Sequence, residues 1–256
     1  MTPFTASTPK WNSLTRKQVN LIYINDLYFM DYEEALGLQH SLVAARASRE
    51  IEEDLLLVLE HPEVFTLGRR GGREFLRVED SWLSSSGMSI IQTERGGYIT
   101  YHGPGQLVGY PIVDLWARGW AVPSFVEMLE EAMIMVSDEF GVKAERSSKN
   151  RGVWVGGAKL GSVGIAIRRG VSFHGLALNV NNRLEPFGWI EPCGLQGVTM
   201  TSLKELLRVD LPMVEVRRSA LRHLEGLFGV SLKRANLGRV MGGLNAEEGR
   251  VGEKKR

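Results

Sequence analysis

Glycine is the residue that most constrains how this chain can fold. The sequence holds 29 glycines among 256 residues, with clusters at 68–72, 96–97, 103–109, 156–164 and 170–175. Short apolar runs lie between the clusters, and the clearest is Leu-Leu-Leu-Val-Leu at 55–59. Glycine supplies turns at low steric cost, and it lets backbone pass close to a ligand. The clusters therefore indicate either a strand-rich protein with many turns or a groove for an elongated ligand.

Periodicity predicts the order of helices and strands. Strand-like runs occupy 19–29, 54–68 with a turn at 61–62, 89–93, 98–114 and 142–180. Helices are predicted from an Asp31 N-cap to about residue 50, over 123–140 with Gly141 as its terminator, from a Ser202 capping box, and over 214–228. Strands and helices do not alternate as regular βαβ units. We therefore predict an α+β fold, a mixed or antiparallel sheet with flanking helices.

Composition narrows the class of protein. The formal net charge is +1 and 24% of the residues are charged, which predicts neither a nucleic-acid nor a membrane partner. A single cysteine rules out an internal disulfide framework, so the cytoplasm is the expected compartment. We predict a flexible leader at 1–18, one catalytic domain at 19–235 and a flexible tail at 236–256, beginning where Gly, Glu, Lys and Arg dominate.

The sequence contains neither of two common nucleotide-binding motifs. The run at 152–159 resembles a phosphate loop, but Leu160 stands where a Ser or Thr would hold Mg²⁺. No Gly-x-Gly-x-x-Gly opens a helix in a βαβ unit. Neither a cofactor nor a metal site is predicted.

The lone cysteine, Cys193, has two possible roles. Free cysteines are usually buried and inert. Pro192 and Gly194, however, bracket this one with a rigid and a permissive residue, which suits a partly exposed turn. Lys159 lies upstream in a glycine-rich run, and an ammonium near a thiol lowers the thiol pKa. The two hypotheses are therefore a buried, inert cysteine and a nucleophilic Cys193 activated by Lys159, and the sequence context favours the second.

The segment 95–106 places an arginine, two aromatic residues, a histidine and a glutamine between glycines. It can be a plain hairpin or part of a ligand site. Its order along the chain with the Lys159 loop, with Ser-Phe-His-Gly-Leu-Ala-Leu-Asn-Val at 172–180 and with Pro-Cys-Gly at 192–194 resembles the octanoyl-(acyl-carrier-protein):protein octanoyltransferases of lipoate biosynthesis. The resemblance runs from about Val19 to Val230 and includes the helix start at 31–36.

This resemblance implies a biotin- and lipoate-protein ligase-like fold and an octanoyl transfer. The donor would be octanoyl-acyl carrier protein. The acceptors would be lysines of lipoyl domains, in 2-oxoacid dehydrogenase E2 subunits and in the glycine-cleavage H protein. The resemblance assigns catalysis to Cys193 and Lys159. It assigns substrate binding to three stretches: Arg95, Gly96, Gly97, Tyr98, Ile99, Thr100, Tyr101 and His102; Ser162, Val163 and Gly164; Gly175, Leu176 and Ala177.

Other interpretations remain open at this point. His102 or His174 can activate the thiol in place of Lys159, and we rank Lys159 first and His102 second. Arg69, Arg70 and Arg73 are either an ordinary solvated turn or a docking patch for an acidic carrier protein. An ATP-dependent lipoate or biotin ligase on the same fold would need no nucleophilic cysteine. A non-catalytic acyl-binding protein would use the same groove without transfer.

Overall fold

A computed structural model describes residues 20–25, 27–147, 150–191 and 198–242. The predicted leader, Cys193 and the end of the tail lie outside these residues. The strands are β1 (Leu21–Ile24), β2 (Asp54–Leu59), β3 (Val64–Leu67), β4 (Ser89–Gln92), β5 (Thr100–His102), β6 (Gln106–Ile112), β7 (Glu145–Arg146), β8 (Val153–Val155), β9 (Ala158–Arg168), β10 (Val171–Asn179) and β11 (Leu232–Ala235). The helices are α1 (Tyr32–Ser48), α2 (Asp80–Ser86), α3 (Leu115–Arg118), α4 (Val122–Glu139), α5 (Leu203–Leu207) and α6 (Met213–Phe228).

Eight strands form a mixed sheet in the order β11-β1-β2-β6-β10-β9-β8-β7. The pairs β11–β1 and β1–β2 are parallel, and the pairs from β2 to β7 are antiparallel. A second sheet has the order β4-β3-β5. The predicted mixed sheet with flanking helices is therefore confirmed.

The large sheet has helices on both faces. Leu176 and Leu178 of β10 pack in a core with residues of α4 and α6, while Phe173 and Ala177 pack in a second core with residues of α1. This division follows from the two-residue period of a strand. A third core joins the small sheet to the segment around Phe187.

Local capping signals place the helix starts that the sequence predicts. The Asp31 carboxylate accepts hydrogen bonds from the backbone N–H groups of Glu33 and Glu34, at 2.8 and 3.3 Å. Ser202 accepts from the Glu205 N–H at 3.2 Å. Helix α4 ends just before Gly141, whose φ is 84°. These side chains satisfy donors that the first helical turn leaves unpaired.

Some boundaries differ from the sequence-based ones. The strand expected over 19–29 is limited to β1, because 27–30 form a connection into α1. The strand expected over 98–114 is divided by a turn at 103–105 into β5 and β6, which belong to different sheets. The region 142–180, expected to hold only short strands, contains β9 and β10, of 11 and 9 residues.

The folded part also extends beyond the expected start of the tail at Asn236. Residues 237–242 are helical, and Leu237, Val240 and Met241 pack against the core on the α1 side. The charged and glycine-rich composition concealed this short apolar face. Strand β11 and helices α2 and α3 were also not predicted.

Candidate active site

The three substrate stretches predicted from the resemblance meet in one cleft between the two sheets. The cleft holds about 710 Å³ of empty space, including solvent space at its open mouth. Of the predicted residues it is lined by Arg95, Gly96, Gly97, Tyr98, Ile99, Thr100, His102, Lys159, Ser162, Val163, Gly164, Gly175, Leu176 and Ala177. The β9–β10 register sets Ser162 opposite Ala177 and Gly164 opposite Gly175, so two of the stretches form one patch of sheet.

Lys159 lies at the start of β9 with a side chain that is almost fully buried, at 3% exposure. Its ammonium nitrogen sits 5.4 Å from the centroid of the Trp154 ring. The negative face of an aromatic ring attracts a cation, so Trp154 stabilises the charge of this buried side chain. A buried cation on the wall of a cleft can bind or stabilise a negatively charged group.

The backbone of Lys159 is joined to the segment that follows Cys193. Its N–H donates to the Thr199 carbonyl at 2.8 Å, and its carbonyl accepts from the Thr201 N–H at 2.9 Å. Cys193 itself lies outside the described residues, six positions before Thr199. The described chain thus places residues 199–201, which follow the cysteine-bearing segment in the sequence, alongside Lys159.

Arg95 fixes the loop that covers the β9–β10 patch. Its guanidinium donates to the Thr66 hydroxyl at 2.8 and 3.1 Å, to the Thr66 carbonyl at 2.6 Å and to the Gly96 carbonyl at 3.1 Å. The Gly96 N–H donates to the Ile165 carbonyl of β9 at 2.9 Å. These bonds hold the backbone of the 95–97 loop against the cleft. Arg95 therefore supports the loop structurally and also lines the cleft.

His102 is fixed as a neutral imidazole. Burial lowers the pKa of His102 to about 3. Its Nδ1 lies 2.7 Å from Gln106 Oε1, while Gln106 Nε2 donates to Asn179 Oδ1 at 2.9 Å. Because the Gln106 oxygen can only accept, Nδ1 must carry the proton and Nε2 is left as the acceptor nitrogen. His102 can therefore accept a hydrogen bond at Nε2.

A second buried histidine supports the tyrosines of the cleft. His61 Nδ1 donates to the Met30 carbonyl at 2.7 Å, so its Nε2 accepts from the Tyr110 hydroxyl at 2.8 Å. Burial lowers the pKa of His61 to about 4, which keeps this arrangement near neutral pH. The Tyr32 ring stacks on His102, with centroids 5.6 Å apart.

Tyr101 is the described site residue that does not line the cleft. It is 1% exposed, packs among Phe65 and Phe187, and donates its hydroxyl to Glu63 at 2.8 Å. Successive strand residues point to opposite faces, so β5 can direct only one of Tyr101 and His102 into the cleft. The structure selects His102.

The cleft also contains residues outside the predicted set: Tyr32, Gln106, Tyr110, His174 and Met200. Gln106 and His174 belong to motifs singled out in the sequence, and Tyr32 follows the Asp31 cap. No sequence signal marked Tyr110 or Met200, because they reach the cleft through sheet pairing between distant segments.

The comparisons with known proteins agree on one family. The family described as lipoyl protein ligase A/B catalytic domain matches residues 31–225. The octanoyltransferase of Desulfotalea psychrophila is 47% identical over 209 residues, which cover 81% of this chain and 94% of that protein. The chain belongs to the octanoyltransferase family. The octanoyltransferase of Syntrophobacter fumaroxidans is also 47% identical, over 80% of this chain and 90% of its own length.

The predicted activity class is thereby confirmed: the enzyme is an acyltransferase of lipoate biosynthesis. The ATP-dependent ligase alternative is less supported. A lipoate-protein ligase A solved with ATP bound has a TM-score of 0.69 at 16% identity, covering 90% of this chain and 94% of that one. At that identity the likeness concerns the fold alone, and the predicted lipoate-ligase-like fold is confirmed.

The described residues show neither a metal-binding cluster nor a membrane-spanning helix. No group of three or more His, Cys, Asp or Glu side chains in the described part of the chain is arranged to hold a metal ion. Among the same residues, no helix has the length and apolar character needed to span a membrane.

Proposed function

We propose that the enzyme moves an octanoyl group from octanoyl-acyl carrier protein to a lysine of a lipoyl domain, through a thioester on Cys193, as the first step of endogenous lipoate synthesis. The observation that carries this proposal is the place of Lys159. Its buried ammonium lines the cleft, and its backbone pairs with Thr199 and Thr201, just after the segment that contains Cys193.

The first half-reaction forms the acyl-enzyme. The Cys193 thiolate attacks the thioester carbonyl of the donor, the new carbon–sulfur bond forms, the old one breaks, and the carrier leaves as a thiolate that takes a proton from water. The Lys159 ammonium stabilises the thiolate because opposite charges favour the ionised form. One thioester replaces another, so the step is close to isoenergetic.

The second half-reaction delivers the acyl group. The amine of the acceptor lysine attacks the Cys193 thioester, an amide forms, and the Cys193 thiolate departs. The attacking amine must lose a proton, and Lys159 in its neutral form can receive it. The fixed tautomer of His102 supports a role as hydrogen-bond acceptor for the incoming amine.

The substrate stretches would hold the acyl chain and its carbonyl. Gly97 exposes backbone at the cleft, where an N–H group can stabilise the oxyanion of the tetrahedral intermediate. Leu176, Ala177 and Val163 supply the apolar contacts. Arg95 would act by holding the loop in place.

The basic loop would receive the donor. Arg69 and Arg70 are exposed, and their N–H groups donate to the Arg95 and Gly97 carbonyls at 2.9 and 3.0 Å. Two cations thus lie beside the loop that covers the cleft, where an acidic carrier protein would approach.

The acceptors would be lipoyl domains of 2-oxoacid dehydrogenase E2 subunits and the glycine-cleavage H protein. A structural relative from Thermoplasma acidophilum, with a TM-score of 0.66 at 17% identity, is described as a bipartite lipoate protein ligase with its E2 lipoyl domain. We place the reaction in the cytoplasm, where a lone thiol stays reduced.

Intact-protein mass spectrometry tests the proposal. Incubation with octanoyl-acyl carrier protein should add one octanoyl group, which hydroxylamine or excess thiol removes. Cys193→Ala should gain no mass and transfer nothing while keeping the wild-type circular dichroism spectrum and Tm. A Cys193→Ala enzyme that retained a substantial fraction of turnover would contradict the covalent route.

The same assay separates the ligase and binding alternatives. Free octanoate with ATP and Mg²⁺ should give no transfer to a lipoyl domain, whereas transfer dependent on ATP would favour a ligase. An acyl-binding protein would retain octanoate without modifying a lipoyl domain in any of the mixtures.

A further inference from the structure

The turn between β9 and β10 carries two exposed arginines. Arg168 pairs with Val171, so Arg169 and Gly170 alone form the turn. Both have a positive φ, of 50° and 85°, as in a two-residue type I′ turn. Such turns favour Asn, Asp or Gly at the first position, because other residues are strained there. This chain places an arginine at that position instead, with its side chain exposed to solvent.

Trp116 lies against this turn. It is 75% exposed, more than any other large apolar side chain in the part of the chain that the structure describes. The Leu115 N–H donates to the Gly170 carbonyl at 2.9 Å, and a Cβ added at Gly170 would lie 2.5 Å from the Trp116 ring. The ring therefore rests on the glycine of the turn, next to Arg169. Tryptophan and arginine are the residues most enriched at the energetically important positions of protein interfaces.

A groove joins the turn to the basic loop beside the cleft. It is lined by Arg69 from the loop after β3, and by Ile167 and Arg168 from the end of β9. The Arg69 N–H donates to the carbonyl of Arg95, which itself lines the cleft. Exposed cations therefore extend from the edge of the cleft to the end of the β9–β10 hairpin.

This surface is positively charged. Glu94 is the carboxylate among the described residues that line the groove, and its Oε1 pairs with Arg168 Nη2 at 2.8 Å. Arg69 and Arg169 make no ion pair with a described residue. Three arginines and one carboxylate leave two positive charges here, in a chain whose formal net charge is only +1. A partner for this surface would therefore be an acidic protein.

We propose that Arg69, Arg168, Arg169 and Trp116 form a docking surface for the acidic carrier protein that delivers the acyl group. Carboxylates of the carrier would pair with the three guanidinium groups, and an apolar side chain of the carrier would cover the Trp116 ring. The surface thus extends the donor contact beyond the basic loop, to the hairpin turn and α3. The proposal rests on the octanoyl transfer proposed above.

Binding of the carrier without its acyl group tests the surface, because nothing can then be transferred. Fluorescence anisotropy with labelled holo-acyl carrier protein would measure the Kd at about 20 mM and about 200 mM NaCl, since salt screens exposed charges. We expect Arg69→Ala, Arg168→Ala and Arg169→Gly each to raise the Kd about two- to fivefold at low salt, the range of exposed ion pairs. The triple variant should lose most of the salt dependence. Trp116→Ala should raise the Kd about tenfold or more at both salt concentrations, because an apolar contact is not screened.

Arg208→Gly is the matched control for Arg169→Gly. Arg208 is also an exposed arginine with a left-handed φ, of 62°. It follows α5, whose Lys204 N–H donates to the Val180 carbonyl beyond the opposite end of β10. Glycine relieves the same backbone strain at both positions, so only the loss of Arg169 should weaken binding. If Arg168→Ala, Arg169→Gly and Arg208→Gly all bound the carrier as wild type does, the docking surface would be wrong.

The same titration with a labelled lipoyl domain separates the donor from the acceptor. The variants should bind the lipoyl domain as wild type does; a loss confined to the lipoyl domain would assign the surface to the acceptor and overturn the proposal. In steady-state assays the variants should raise the KM for octanoyl-acyl carrier protein and keep kcat. If wild type bound the carrier with the expected variant pattern but transferred no octanoyl group, the proposed function would fail and the docking surface would stand.

Discussion

Gln106 holds His102 in a single tautomer, through the 2.7 Å hydrogen bond between His102 Nδ1 and Gln106 Oε1. The orientation of the Gln106 amide is itself set by its donation to Asn179 Oδ1 at 2.9 Å. Asn179 in turn donates to the Thr201 carbonyl at 3.0 Å, next to the pairing with Lys159. The imidazole and the lysine are thus parts of one buried network.

Replacing Gln106 should therefore impair the second half-reaction more than the first. In Gln106→Leu either nitrogen of His102 can carry the proton, so the Nε2 lone pair is no longer guaranteed. We expect transfer to the acceptor lysine to slow about tenfold, less than the ~100-fold or more of a lost general acid or base, because part of the population keeps the active tautomer. Single-turnover kinetics with a preformed acyl-enzyme measures this step. Gln92→Leu, on the edge strand β4, is the control; an equal loss in both half-reactions would point to a damaged cleft instead.

Removing Arg95 should reduce stability as well as activity. Its guanidinium is buried and makes three hydrogen bonds to Thr66 and one to Gly96. Losing hydrogen bonds from a charged group at a buried acceptor costs about 2–3 kcal/mol. Urea unfolding of Arg95→Ala should show that decrease in the free energy of unfolding. If Arg95→Ala were as stable as wild type but inactive, the main role of Arg95 would be to contact the substrate.

Acid should destabilise the fold through three buried histidines. Burial lowers the pKa values of His61, His102 and His174 to about 4, 3 and 3. Above the unfolded value of about 6.5 the rings are neutral in both states; below it only the unfolded chain takes up protons, so stability falls as pH drops toward the folded values. At pH 5 the loss is about 2 kcal/mol for each histidine.

Urea unfolding between pH 7 and pH 5 measures this slope. His61→Gln removes one titrating group, so its stability should fall less steeply over that range, by about one proton's contribution. His223→Gln, whose ring lies 18% exposed beside Glu139, is the control. Parallel slopes in wild type and His61→Gln would contradict the assignment of His61 as a neutral buried group.

The sequence predicts those structural features that depend on interactions between residues close together in the chain. Asp31 and Ser202 mark helix starts because a capping side chain bonds to backbone two or three residues away. The parallel pairing of Leu232 in β11 with Leu21 in β1 joins opposite ends of the chain. No local pattern encodes that pairing, and β11 was accordingly not predicted.

The same limit applies to the site. Motif order located the three substrate stretches, and the structure gathers them in one cleft. The period of two in β5 requires Tyr101 and His102 to point apart, but it does not say which one faces the cleft. The strained φ of His174 breaks that period altogether. Several glycines also serve packing: a side chain at Gly175 would clash with the Gly109 carbonyl of the neighbouring strand.

Lys159 should control the reactivity of Cys193 through its charge. A free thiol with a pKa near ~8.5 is only a few per cent thiolate at neutral pH. Lys159→Ala removes a buried ammonium, so the pKa of Cys193 should rise by about 1–2 and iodoacetamide alkylation should slow at pH 7. Lys159→Arg keeps the charge but cannot act as a base. We expect it to restore part of the thiol reactivity while transfer to the acceptor lysine stays poor.

The position of the ammonium can be tested without changing Lys159. Gly152 has a φ of 116°, and a Cβ there would lie 2.8 Å from Lys159 Cε and against the Gly161 carbonyl. Glu130 holds this residue in place by accepting the Gly152 N–H at 2.8 Å. Gly152→Ala should therefore displace the lysine side chain and raise the alkylation pKa of Cys193 toward that of Lys159→Ala. Gly157→Ala is the matched control, because Gly157 also has a positive φ, of 86°, but has no atom within 4 Å of an added Cβ. It should share the backbone strain of Gly152→Ala and keep the wild-type thiol pKa. If Lys159→Ala left that pKa unchanged, the lysine–cysteine pair would be wrong, and His102 would become the leading candidate for activating the thiol.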